Sequence, residues 1–228
     1  MSMKKIIVLL IVVVSASAFT TYKYYPIDGY ERTGIKRLKR LELIKSGEIK
    51  DASALPVGAM KSYNDIQLNL LSRKNDSAMG LMQVDADFQK EISALFRGLD
   101  KSYSLTVLDI SDPENVRYAE RNETAGYQPG SVGKLAVLLG LFTQLEKIYP
   151  DSFEKRTELL KNKSVKGGVW GLTDEHTIPI YNIEKNTLVK RQVIASDVFS
   201  LYEWADHMLS VSNNGAASIV WREALLMA

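Results

Sequence analysis

The chain has 228 residues, 46% of them apolar, which is enough to bury the core of a domain of ordinary size and excludes a disordered chain. A net charge of +2 with 25% charged residues excludes a dedicated nucleic-acid binder. The absence of cysteine excludes a disulfide framework, a thiolate metal site and a cysteine nucleophile, and with His176 and His207 as the only histidines a histidine-rich zinc site is disfavoured as well.

The charge is unevenly spread. Residues 1–61 hold 11 basic against 5 acidic side chains, and the remainder holds 18 against 22, so the basic surplus lies beside the apolar N-terminus. There, Lys4 and Lys5 precede the apolar run Ile6–Val14, and Ser15-Ala16-Ser17-Ala18 follows with small residues where a signal peptidase reads. Nine apolar residues are too few for a bilayer core, which needs about 20 helical residues. The expectation is a signal peptide over residues 1–18, cleaved after Ala18, with an uncleaved N-terminal anchor as the alternative; either way the body of the protein is exported to the periplasm or another extracytoplasmic space.

Residues 19–80 read as a basic extension interrupted by Gly29, Gly34, Gly47, Pro56 and Gly58. Within it Ile35, Leu38, Leu41 and Ile44 recur at helical spacing among Lys36, Arg37, Lys39 and Arg40, which predicts one short amphipathic helix. Its apolar stripe is expected to pack on the domain, with contact to an anionic membrane surface as the alternative.

The domain proper, residues 81–228, opens with Asp85 as an N-cap and Phe88, Ile92, Leu95, Phe96 and Leu99 on one helix face. Strands are predicted within Ser102–Ile110 and around Val116–Glu120, with turn chemistry at Ser111-Asp112-Pro113-Glu114-Asn115 between them. After the breaker cluster Gly126-Tyr127-Gln128-Pro129-Gly130, a strongly apolar helix runs from about Ser131 to Ile148. Its apolar residues cover more than one face, so it is expected to be buried. A smaller helix is predicted over Ser152–Asn162, short β pieces over residues 163–190, a helix capped by Ser200 and Glu203 over Ser200–Leu209, and a last apolar helix over Ala216–Ala228.

Two short motifs carry the chemistry. In Ser131-Val132-Gly133-Lys134 the serine and lysine are three residues apart at a helix start, hence on one face. A serine hydroxyl is a weak nucleophile until a base takes its proton, a desolvated lysine can accept it, and a helix N-terminus favours the developing oxyanion. The plain structural reading makes Ser131 an N-cap and Lys134 a solvated charge. The second motif, Ser212-Asn213-Asn214, lies 81 residues after Ser131 in a turn between two helices. It offers a hydroxyl to relay a proton and an amide to hold Lys134 and a substrate, or simply a helix cap followed by Gly215.

The order of an export signal, a helix, two strands, Gln128-Pro129-Gly130-Ser131-Val132-Gly133-Lys134 entering an apolar helix, and then Ser212-Asn213-Asn214 between helices resembles the class A β-lactamases and penicillin-binding proteins, whose signature set is S-x-x-K, S-D-N and K-T-G. The resemblance spans roughly residues 85–228. It implies an α+β, β-lactamase/transpeptidase-like fold: an antiparallel sheet flanked by helices, with an inserted all-helical part. It implies Ser131 as acylated nucleophile, Lys134 as base or base partner, Ser212 as proton relay and Asn214 as the substrate-binding amide, with no metal and no organic cofactor. The substrate would be a small-molecule β-lactam or a peptidoglycan stem peptide, and nucleic acid is not an expected partner. The activity implied is that of a serine hydrolase opening β-lactams, as in antibiotic resistance. A D,D-carboxypeptidase and a non-catalytic envelope binding protein or inactive fragment are the alternatives. Asn213 stands where class A enzymes have Asp. Only 14 residues follow Asn214, so the K-T-G strand and the deacylating acidic residue are expected beyond Ala228, and the domain is read as incomplete. Lys45-Ser46-Gly47 fits the third motif in letters but lies upstream of the first, and is read as coincidence.

Overall fold

The computed structural model describes residues 29–50, 83–112, 115–172 and 174–228. The expected signal peptide, the rest of the extension and the Pro113-Glu114 part of the turn lie outside the described residues. Mixed helix and antiparallel strand, the α+β class, is what the chain forms, divided into two compact units.

The smaller unit contains helix α3 (Ala86–Leu95) and the strands β1 (Leu105–Asp109) and β2 (Arg117–Arg121), paired antiparallel with Val107 opposite Ala119. Asp85 caps α3 as predicted, accepting the Phe88 N–H at 2.7 Å. Phe88 and Ile92 pack on Ala119, while Leu95 and Leu99 stay exposed, so the apolar face is narrower than its sequence pattern. The Gln89 amide spans to β2, donating to the Glu120 carbonyl and accepting the Glu120 N–H, and so satisfies backbone groups that a third strand would otherwise meet.

The larger unit contains α1 (Gly29–Thr33), α2 (Lys36–Lys45), α4 (Gly133–Ile148), α5 (Phe153–Asn162), β3 (Ser164–Lys166), β4 (Ile178–Asn182), β5 (Thr187–Arg191), β6 (Val198–Ser200), α6 (Leu201–Ser210) and α7 (Asn214–Leu226). Antiparallel pairs β3–β6 and β4–β5 brace a helical core. Among the described residues the strands therefore make three separate two-stranded pairs, where the sequence led us to expect one sheet.

The core is built where α4, α6 and α7 meet. Leu141, Leu145, Leu201, Trp204, Met208, Ile219 and Val220 are at most 1% exposed, each apolar side chain contributing about 1.5–3 kcal/mol by leaving water. Trp204 satisfies its indole N–H on the Val165 carbonyl at 2.9 Å and meets Phe199 edge-on, tying α6 to the β3–β6 pair. The predicted box at the start of α6 forms, Ser200 accepting from the Glu203 N–H and Glu203 from the Ser200 N–H.

One sequence expectation changes here. Helix α4 is not buried all round: Leu135, Leu139 and Phe142 form an exposed apolar face among the described residues, because only the Leu141–Leu145 side meets α6 and α7. As expected for the apolar stripe of α2, residues 29–50 pack within the unit that carries Ser131. Ile35 and Leu38 are buried, Arg37 forms a two-pronged ion pair with Asp206, and Lys36 approaches Glu203 at 3.6 Å. Lys45-Ser46-Gly47 ends α2: Ser46 is its C-cap and Gly47 takes the left-handed conformation at φ +80°, a helix stop with no part in a strand. Among the described residues no helix is long and apolar enough to cross a membrane.

Candidate active site

Gly130, at φ +52°, turns the chain into a 3-10 turn over Gly130–Val132 that leads into α4. Val132 is the N-cap of α4, and no side chain caps it. The Ser131 hydroxyl is thus not spent on capping, and its residue is exposed to solvent. One turn on, Lys134 is 8% exposed despite its charge. Its Nζ lies 3.1 Å from Ser131 Oγ and 2.9 Å from Ser212 Oγ, and donates to the Ser212 carbonyl at 2.6 Å. Ser212 Oγ in turn donates to Ser131 Oγ at 2.7 Å. Ser131, Lys134 and Ser212, 81 residues apart in the chain at their ends, close into a triangle of mutual hydrogen bonds.

Ser212 reaches this position through its backbone. It follows the end of α6 at φ +58°, where glycine is the usual occupant because a Cβ is strained. The next residue holds the turn: Asn213, fully buried, caps α7 by accepting the Ala216 N–H at 2.7 Å, donates from Nδ2 to the His176 carbonyl at 2.9 Å, and gives its own N–H to the His207 carbonyl at 3.1 Å. The plain reading of Ser212-Asn213-Asn214 as a cap therefore describes Asn213, while Ser212 belongs to the triangle. Asn214 is exposed at the first turn of α7. Lys134 is held by the Ser212 carbonyl, a backbone group that a motif of side chains does not announce.

The floor under this turn is set by two glycines. A Cβ on Gly215 would lie 2.3 Å from the Gly171 carbonyl oxygen, so α7 and the 3-10 turn over Gly168–Leu172 touch backbone to backbone. Gly215→Ala is expected to force the two apart, costing about 1–3 kcal/mol in urea denaturation and slowing any chemistry at Ser131. An unchanged unfolding midpoint would contradict the contact.

Sequence reasoning missed Asp174, whose carboxylate accepts the Asn214 N–H and sits 2.6 Å from His176 Nδ1. These partners lie 40 and 2 residues away, and nothing in a D-x-H stretch distinguishes it from a loop. Among the described residues, no group of three or more His, Asp or Glu side chains is placed to hold a metal ion. Comparison with protein-family models, with curated proteins and with solved structures returns no match.

Proposed function

We propose that this protein is a serine acyl-enzyme hydrolase of the β-lactamase type, with a β-lactamase/transpeptidase-like fold, acting on β-lactams outside the cytoplasm. The observation that carries the reading is the Ser131–Lys134–Ser212 triangle, in which a solvent-facing hydroxyl touches a buried amine and a second hydroxyl. In its amine form Lys134 accepts the Ser131 proton as Oγ attacks the lactam carbonyl. The C–O ester bond forms, the C–N bond breaks, and the proton passes from Lys134 through the Ser212 hydroxyl to the leaving nitrogen. Water then hydrolyses the ester and frees Ser131. The N-terminus of α4 lies beside the carbonyl under attack, where its partial positive charge opposes the oxyanion's. Asn214, exposed next to this turn, is suited to hold an amide of the substrate.

The test is intact-mass analysis of the purified full-length protein mixed with a fluorescent penicillin, beside Ser131→Ala. One covalent adduct per chain, absent from the variant, is expected. A folded protein with neither adduct nor turnover would replace this reading with that of a non-catalytic binding protein.

A further inference from the structure

Just before β4, a carboxylate and an imidazole are locked to the turn that carries Ser212. The Asp174 side chain is 5% exposed; its Oδ1 accepts from the His176 N–H at 3.2 Å and meets His176 Nδ1 at 2.6 Å, and its Oδ2 accepts the Asn214 N–H. With the Asn213 amide on the His176 carbonyl, two hydrogen bonds fix residues 174 and 176 against the start of α7, and two more join His176 to the Asp174 carboxylate. Burial raises the Asp174 pKa, but the His176 ring and the two backbone donors outweigh it and hold the carboxyl below its ordinary range, so it stands as a carboxylate.

A carboxylate on Nδ1 requires the ring proton there. In a neutral imidazole so held, Nε2 carries the lone pair and is an acceptor. The ring itself is 57% exposed, on the loop bonded to Asn213 and Asn214. The Ser131 hydroxyl takes its contacts from Lys134 and Ser212, and the imidazole is not among them.

We propose that His176, oriented by Asp174, is a specificity-determining residue of this site that accepts a hydrogen bond from an amide N–H of the acylating substrate. The inference rests on the acyl-serine reading and narrows it to lactams or peptides that carry an acylamino group near the scissile bond. Asp174 is a positioning residue, acting through the ring it holds.

The test compares acylation rates for benzylpenicillin and for the same compound with its side-chain amide N-methylated, which differ in one N–H. The wild-type protein is expected to prefer the parent about fivefold beyond the preference shown by His176→Phe, the size of one hydrogen bond. Asp174→Asn is expected to reduce the preference in part by freeing the ring. A ratio unchanged in His176→Phe would overturn the inference alone. Absence of any adduct on the wild-type protein with either compound would overturn the acyl-serine reading and this inference with it.

Discussion

Lys134→Met is expected to slow acylation of Ser131 by a factor of about 10² to 10⁴ while leaving the protein folded. Methionine keeps the apolar stem that packs beneath the site and removes only Nζ, the group that touches Ser131 Oγ, Ser212 Oγ and the Ser212 carbonyl. Positioned proton transfer is worth that factor in rate. The stability loss is limited to orphaning one carbonyl in a residue that is only partly buried, about 1 kcal/mol, since water can replace the lost donor. Time-resolved intact-mass measurement of the adduct separates the two effects when a thermal melt is run alongside. Acylation by Lys134→Met within threefold of wild type would remove the lysine from the chemistry.

The second large effect is on stability below neutral pH. His207, 4% exposed, stacks edge-on against Phe199, and its Nδ1 is the one buried side-chain nitrogen or oxygen among the described residues without a hydrogen-bond partner. Burial pushes its pKa from 6.5 down to about 4, against an opposing pull from Asp206 and Asp197 and with some help from Arg37. A group whose folded pKa lies below its unfolded value binds its proton more readily in the unfolded chain. Its contribution is therefore complete above pH 6.5 and is lost as the pH falls toward 4, amounting to about 3 kcal/mol. The buried carboxylates Asp197 and Glu223, whose pKa values are also lowered, lose their contributions only under more acidic conditions, because their unfolded values already lie near 4. Urea denaturation between pH 7 and 5 isolates the histidine. The unfolding free energy of wild type should fall across that range, and that of His207→Leu should stay nearly flat. Equal slopes in the two proteins would show that the imidazole takes up its proton as readily in the folded chain as in the unfolded one.

The elements legible in the sequence are those whose cause is local. Asp85 and Ser200 announce helix starts because a side-chain oxygen three residues before a free N–H is a short-range fact, and both form the predicted bond; Ser152, where the sequence predicts the start of α5, caps it in the same way. Ser131 and Lys134 share a face for the same reason. Ser212 was readable as a candidate hydroxyl, but its contact with Ser131 depends on a left-handed backbone and on three bonds made by its neighbour Asn213. What stayed hidden required knowing which segments meet. The exposed face of α4 has the same composition as its buried face, so apolar content could not tell Leu139 from Leu141. Asp174 finds the backbone of Asn214 across 40 residues, and the β3–β6 pair closes over a separation that no turn signal encodes.

Position 212 makes two demands that different residues would meet best. The left-handed conformation at φ +58° is cheapest for glycine, whereas the hydroxyl bridging Lys134 and Ser131 needs serine. A screen of variants for thermal endurance alone would therefore drift toward glycine there and lose the bridge between Lys134 and Ser131, so endurance and the hydroxyl triangle are in competition at a single residue.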